Sequence, residues 1–198
     1  MAPTAARIQQ VFDLVDREVW IVTAADGKRA GGLVATWVSA ASIDPDHPTV
    51  VVGLAPNHFT TELVASSGAF TLHLLAQRHL DLVWRFALAS GRDTDKLAGL
   101  AHRLGATGSP ILEDCLAWLD CRAITRYDAG DRLFFWADVV DGHRRGGGAA
   151  LREKDVIAAA TPEQRAALVA ARTADVSTLL PLRTMWQNRV ADNRDRIG

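Results

Sequence analysis

Apolar residues alternate with polar ones, or form short β-branched runs, through most of the first 140 residues. This pattern is typical of strands. Turn-forming residues separate the runs, most clearly at Asp26-Gly27, at Asp44–Pro48 and at Asp128–Asp131. The runs predict six strands, over residues 19–24, 31–39, 49–54, 69–75, 112–126 and 133–140. The first two are predicted to form one hairpin, and the last two a second, longer hairpin.

Apolar residues at helical spacing predict several helices among these strands. The predicted helices cover residues 5–16, 78–88 and 95–100, and a short segment that starts near Asn57 and is closed by Gly68. Strands and helices do not alternate regularly, so a doubly wound sheet is not expected. The fold class predicted is mainly β, a small barrel with helical inserts.

The composition changes after the segment Gly142–Gly148, which ends in three adjacent glycines. Such a segment predicts a flexible joint, so we expect a barrel domain over residues 1–148 and a helical C-terminal extension over residues 149–198. Thr161–Gln164 has the residue order of a capping box and predicts the start of a helix. A further helix is expected over residues 175–191, interrupted or kinked at Pro181.

Charge and hydropathy exclude two classes of partner. The 22 basic and 23 acidic side chains give a net charge of −1. Binding to nucleic acid requires a concentrated positive field, so no nucleic-acid partner is expected. No stretch approaches the roughly 18 uninterrupted apolar residues of a membrane span, so no membrane association is expected. Arg7, Asp13 and Asp16 interrupt the N-terminal apolar residues, which excludes a signal peptide.

Cysteine and histidine usage predicts neither a disulfide framework nor a metal site. Cys115 and Cys121 are the only cysteines, and their spacing fits no usual zinc pattern. The six histidines are scattered without the spacing of metal ligands. We therefore expect inert, packed thiols and a cytoplasmic location.

Several segments together carry a resemblance to a known family. They are GGLVATWVSAASIDP at residues 31–45, NHFTTEL at 57–63, GAFTLHLL at 68–75, RFA at 85–87 and LEDCLAWLDC at 112–121. In order and spacing they resemble the flavin reductase-like family, the FMN-binding split barrels. The resemblance covers about residues 8–141.

The resemblance implies a split β-barrel that binds FMN, with FAD as the alternative, and NAD(P)H as electron donor. It also implies a homodimer in which two barrels pack side by side and share their cofactor sites. The cofactor-binding residues it implies are Thr36, Trp37, Val38, Ser39, Ala41, Ser42, Asn57, His58, Thr60 and Thr61.

The residue types suit a flavin without reference to the family. Thr36, Ser39 and Ser42 place hydroxyls along and beyond an apolar strand, and Trp37 offers a flat apolar surface. The predicted helix start at residues 57–61 would present free N–H groups to a phosphate. Ordinary structural roles remain open for the same residues: cross-strand packing for the hydroxyls, a core position for the tryptophan and helix capping for Asn57.

Several residues depart from the family pattern, among them Val34, Trp37 and Val38, so that fewer hydroxyls would face the flavin. Arg132 stands where members often have a histidine associated with nicotinamide binding, and His73 stands in place of an asparagine. His58 replaces an arginine near the phosphate helix, which predicts weaker or pH-dependent phosphate binding.

The function expected is that of an FMN-dependent oxidoreductase, which takes hydride from NAD(P)H and passes electrons to free flavin or to a partner oxygenase. Arg132 keeps an alternative open, a flavin-binding electron carrier or flavin store without nicotinamide activity. A third possibility is a barrel without flavin that serves as an assembly module.

Overall fold

A computed structural model describes residues 4–194. The strands are β1 (Trp20–Asp26), β2 (Arg29–Ala35), β3 (Val38–Ala40), β4 (Thr49–Leu54), β5 (Ala69–Leu74), β6 (His102–Leu104), β7 (Pro110–Leu112), β8 (Ala117–Asp128) and β9 (Leu133–Arg144). The helices are α1 (Thr4–Phe12), α2 (Phe59–Ser67), α3 (Leu80–Ala87), α4 (Glu153–Ala159) and α5 (Pro162–Arg194).

Seven strands form one curled antiparallel sheet in the order β2-β1-β5-β8-β9-β4-β3. The two edge strands, β2 and β3, follow one another in the chain and are separated only by Thr36 and Trp37. Ala35 and Val38 are three Cα–Cα steps apart, at most about 11 Å, so the two edges lie close together and the sheet curls into a barrel. The N–H of Gly53 in β4 donates to the carbonyl of Trp37 at 2.9 Å, which fixes the link.

The barrel interior is filled by alternate residues of the strands. The largest fully buried side chains there come from β1, β4, β5 and β9 and the inner face of α2: Val22, Val52, Leu54, Leu63, Phe70, Leu72 and Phe135. A second cluster packs α3 and α4 against the outside of β1 through Ile21, Val83, Phe86 and Val156. The predicted mainly β barrel with C-terminal helices is therefore confirmed.

Both predicted hairpins are confirmed, but the strand count is higher than six. The predicted strand over residues 31–39 is two strands, because the backbone leaves the sheet at the link between its edges. β7 separates from the predicted strand over 112–126 and pairs with β6 in a small two-stranded sheet. The predicted helix over residues 95–100 is wrong: this segment forms successive turns.

The C-terminal segment also differs from the prediction. The capping box is present, since the N–H of Gln164 donates to the Thr161 hydroxyl at 3.2 Å and the N–H of Thr161 to the Gln164 side chain at 2.9 Å. The expected interruption at Pro181 is wrong, because α5 runs 33 residues through this proline, and a kink there stays a prediction. The predicted joint is shorter than expected, since β9 continues to Arg144. The domain boundary after residue 148 stays a prediction.

His73 of β5 is a fully buried polar side chain in the middle of the sheet. Its Nδ1 donates to the carbonyl of Ile21 at 3.1 Å, and its Nε2 accepts the N–H of Leu112 at 3.0 Å. The second contact requires an unprotonated Nε2, so the ring is neutral. Burial accordingly lowers the pKa of His73 from 6.5 to about 4.

This burial predicts a loss of stability in mild acid. Between pH 6.5 and 4 the unfolded chain takes up a proton that native His73 does not, so the free energy of unfolding falls as the pH falls. By pH 5 the loss is about 2 kcal/mol. Urea unfolding at pH 7 and pH 5 measures it, and His73→Asn should reduce the difference, whereas the exposed His102→Asn should leave it unchanged. An unreduced pH dependence in His73→Asn would contradict the assignment.

Candidate functional site

A cleft of about 940 Å³ lies between the barrel and α5. Its walls are Gly32–Val34 of β2, residues 57–60 at the start of α2, residues 86–92 at the end of α3 and beyond, and one face of α5. Five basic side chains line it (Arg92, Lys96, Arg132, Arg172, Arg183), against the two carboxylates of Asp131 and Asp175. The cleft therefore combines apolar strand surface with an excess of positive charge, which suits an anionic ligand.

The start of α2 is an uncapped helix end. β4 ends at Leu54 and the chain turns at once into the helix, with the N–H of His58 donating to the carbonyl of Ala55 at 3.2 Å. His58 occupies the N-cap position in an extended conformation, but its side chain makes no capping hydrogen bond. Within the described residues, the N–H groups of Phe59 and Thr60 have no acceptor. Such N–H groups, with the helix dipole, favour an anion at this end.

Thr60 adds a hydroxyl at the same place. The residue is 2% exposed and lines the cleft, and its hydroxyl has no hydrogen-bond partner in the part of the chain that the structure describes. A hydroxyl without a partner at the wall of a cleft is free to donate to a ligand or to water. We call residues 57–60 the anion cradle.

Arg92 stabilises the turn that precedes α2. Its guanidinium donates to the carbonyl of Asn57 at 3.0 Å, pairs with Glu62 and lies over the ring of Phe59 at 5.9 Å from its centre. The pairing keeps the carboxylate of Glu62 exposed, so it does not oppose an anion in the cradle.

Asp175 of α5 reaches into the cradle. Its carboxylate accepts a hydrogen bond from the amide of Asn57 at 2.8 Å and lies 3.1 Å from Nε2 of His58. The Asp175 carboxylate therefore occupies the place where a flavin phosphate is expected from the sequence.

A second cleft, of about 1510 Å³, lies on the other side of α5. It is lined by residues 36–39, together with parts of α1 and α4. Trp37 lines both clefts; it stacks on Phe134 with ring centres 6.1 Å apart, and the guanidinium of Arg132 lies 4.9 Å from the centre of its ring. Gly53 leaves room for this stack, since a Cβ there would lie 2.9 Å from the ring of Phe134.

The structure thus divides the predicted cofactor-binding residues into three groups. Asn57, His58 and Thr60 form the cradle in the first cleft, while Thr36, Trp37, Val38 and Ser39 line the second. Ala41, Ser42 and Thr61 line neither cleft. The Ser42 hydroxyl instead accepts the N–H of Asp44 at 3.0 Å and stabilises a turn, and the Thr61 hydroxyl is buried without a partner among the described residues.

Sequence reasoning missed the cleft residues on α5. Arg172, Asp175, Leu179 and Arg183 are spaced by three or four residues and so share one helix face. That spacing could have indicated a face that packs on the barrel. The spacing does not indicate that this face covers a cleft, because the contact between Asn57 and Asp175 joins residues 118 positions apart in the chain.

The two cysteine thiols do not supply a nucleophile. Burial raises the pKa of Cys115 to about 11 and also raises that of Cys121, so both thiols stay protonated, and neither is disulfide-bonded. Burial lowers the pKa of Lys96 to about 8; its amine donates to the carbonyls of Phe86 and Gly32 at 2.8 and 3.1 Å. Within residues 4–194, no cluster of histidine, cysteine or carboxylate side chains could hold a metal ion.

The family model of the flavin reductase like domain matches residues 12–173 of this chain, a range that includes the start of α2 and the first part of α5. The chain belongs to this family. The resemblance seen in the sequence is thereby confirmed, and the anion cradle lies inside the matched region. Among the described residues, no helix is both long and apolar enough to cross a membrane.

Related proteins agree with the family assignment. A flavin reductase of Pseudomonas putida is 35% identical over 108 residues, which cover 54% of this chain and 59% of that protein. The chain spans only about a quarter of the length of several curated diflavin flavoproteins.

Solved structures that are similar in fold include chains of more than 25% identity. The FMN-binding protein of Thermus thermophilus with bound 1-cyclohex-2-enone is 28% identical, with a TM-score of 0.62 over 67% of this chain and 73% of that one. Nitrilotriacetate monooxygenase component B of Mycobacterium thermoresistibile is 26% identical, with a TM-score of 0.64 over 75% and 84% of the two chains.

Proposed function

We propose that this flavin reductase-like protein binds FMN across the two clefts, with the flavin phosphate in the anion cradle. The observation that carries the proposal is the hydroxyl of Thr60, a residue that lines the cleft, which has no partner among the described residues and lies beside the unpaired N–H groups at the start of α2. Phosphate is the part of FMN that such a cradle recognises. The FMN-binding protein of Thermus thermophilus, similar in fold, supports the choice of cofactor.

Each part of the site has a role in holding the cofactor. The N–H groups of Phe59 and Thr60, the Thr60 hydroxyl and the side chains of Asn57 and His58 would donate to phosphate oxygens. Trp37 and the apolar surface of β2 would line the ring system, and the hydroxyls of Thr36 and Ser39 would meet its polar groups. Bound FMN would supply a hydride acceptor that passes electrons onward. The chain's own contribution is to position the ring and exclude water.

We propose NAD(P)H as the electron donor and free flavin or a partner oxygenase as the acceptor. The flavin reductase of Pseudomonas putida supports the reductase activity, and the likeness to component B of a monooxygenase supports an oxygenase as partner. A reducing cytoplasm suits a chain whose two buried cysteines are unpaired.

One observation favours a second candidate function. The guanidinium of Arg132 lies over the ring of Trp37, at the junction of the two clefts. A side chain that covers this surface would hinder the stacking of a nicotinamide. The alternative is therefore a flavin-binding electron carrier without nicotinamide activity.

The cradle predicts a phosphate-specific loss of affinity in Thr60→Val, which keeps the side-chain shape and removes the hydroxyl. We expect FMN to bind about tenfold more weakly, the loss of one charge-assisted hydrogen bond, and riboflavin to bind unchanged. Quenching of flavin fluorescence measures both. Thr61→Val is the matched control: it is equally buried on the same turn but outside both clefts. Equal losses for FMN and riboflavin would contradict the cradle.

The electron donor is tested by stopped-flow mixing of the FMN-loaded protein with NADH or NADPH. We expect at least one of them to bleach the visible flavin absorbance rapidly, as the proposed reductase activity requires. Dithionite is the control that the bound flavin can be reduced. Bleaching by dithionite and by neither nicotinamide would favour the carrier over the reductase.

We also propose a homodimer, and exposed apolar residues on β8 and β9 support it. Tyr127, Trp136 and Val140 are each between 43% and 55% exposed on this long hairpin. Large apolar side chains of this kind are enriched where subunits meet.

Light scattering should give twice the chain mass of 21.4 kDa. Trp136→Arg should shift the protein toward monomer, because it places charge in the proposed interface. Ile43→Arg, at a fully exposed loop position, is the matched control and should remain dimeric. A monomeric wild-type protein that still binds FMN would contradict a shared site and leave flavin binding intact.

A further inference from the structure

The anion cradle already holds an anion, and that anion belongs to α5. The Asp175 carboxylate makes a hydrogen bond of 2.8 Å to Asn57 and lies 3.1 Å from the imidazole of His58. The carboxylate thus contacts the side chains of Asn57 and His58, which precede the first residue of α2. The N–H groups of Phe59 and Thr60 and the Thr60 hydroxyl are left without partners within the described residues.

The unused donors show that the carboxylate does not complete the cradle. α2 has nine residues, enough to present a full first turn of N–H groups. Thr60 is 98% buried and faces the cleft with no partner for its hydroxyl among the residues described. A carboxylate has two oxygens, both engaged elsewhere here, whereas a phosphate monoester has three terminal oxygens with which to reach the remaining donors.

α5 also separates the cradle from the strand hydroxyls. Four residues line both clefts, and two of them, Arg172 and Arg183, are on α5; the others are Trp37 and Arg132. A ligand that reaches from the cradle to Thr36 and Ser39 would have to pass this boundary. Such a ligand would therefore contact α5 as well as the barrel.

α5 is held on the barrel by few contacts. Leu179 is the only buried residue among the described side chains of this 33-residue helix. Beyond the Asp175 contacts, Arg183 pairs with Asp131 at 3.3 Å and Trp186 packs near Gly130. Displacement of a helix with so little buried surface disturbs the barrel core little.

We propose that Asp175 is a specificity-determining residue that competes with the flavin phosphate for the anion cradle. When the Asp175 carboxylate contacts Asn57 and His58, α5 lies across the cleft. A phosphate that takes the cradle displaces the carboxylate and releases this segment of α5. Asp175 thereby lowers the affinity for FMN relative to riboflavin, which has no phosphate. This inference rests on the proposed function, because it assigns the cradle to a flavin phosphate.

The first test compares Asp175→Asn with wild type. The substitution removes the charge that competes with phosphate, keeps the side-chain size and leaves the barrel untouched. We expect the ratio of the Kd for riboflavin to the Kd for FMN to rise about tenfold, because the competing state is weakened. Asp192→Asn makes the same charge change at an exposed position of the same helix outside both clefts, and should leave the ratio unchanged.

The second test follows α5 directly. Amide hydrogen exchange of wild-type protein, measured by mass spectrometry, should increase over residues 168–183 when saturating FMN is added. An unchanged Kd ratio in Asp175→Asn would overturn the proposal. So would exchange over these residues that stays constant or falls on FMN binding.

Inorganic phosphate separates this inference from the flavin assignment. At constant ionic strength, phosphate should raise the Tm of Asp175→Asn more than that of wild type or Asp192→Asn. If neither flavin binds but this difference persists, the proposed flavin function is wrong and the competition stands. If phosphate stabilises all three proteins equally, the competition is wrong whatever the flavin results.

Discussion

The connection between the two edge strands determines the geometry of this molecule. β2 and β3 lie at opposite ends of a seven-stranded sheet, yet only Thr36 and Trp37 separate them in the chain. A link this short forces the two edges together, so the sheet has to curl. The same link places Trp37 at the mouth of the barrel, where both clefts meet. Closure of the fold and placement of the site surface therefore have one cause.

The position of α2 follows from the same constraint. β4 pairs with β3 next to the link, and the chain enters α2 four residues after β4 ends. Leu63 and Val64 are fully buried, which fixes the helix on the barrel and leaves its N-terminus at the cleft. Because the N-cap side chain makes no capping bond, the positive end of the helix is available to an external anion. The basic side chains around the cleft strengthen the same preference.

Local sequence patterns were sufficient for the barrel and for part of the site. Alternation and turn residues predicted the strands because each strand buries one face and its turns are short. The cradle was predictable because Asn57–Thr60 directly follow a buried strand and start a helix. Two features depend on contacts between distant parts of the chain and were not predictable: the split of the strand at Thr36, and the approach of Asp175 to Asn57. The predicted interruption at Pro181 is absent for a different reason. Proline removes one backbone hydrogen bond and has a low helix propensity, but the exposed α5 tolerates this loss.

Buried polar groups away from the cleft show what a completed network looks like in this protein. Asp120 is fully buried and accepts hydrogen bonds from the hydroxyls of Thr71 and Thr107 and from the N–H of Thr107. Near the cradle, by contrast, some buried polar atoms have no partner among the described residues. Two of the three fully buried side-chain polar atoms without partners among the described residues belong to Asn57 and Thr61.

Unpaired polar groups lower stability, and this chain pairs such groups elsewhere in its core. The unpaired N–H groups of Phe59 and Thr60 at this helix end are therefore a property of this site. A fold that leaves donors unpaired at the mouth of a basic cleft gains stability when an anion binds there. Asp175 obtains part of that gain through Asn57 and His58, and a phosphate that reaches the remaining donors would obtain more of it.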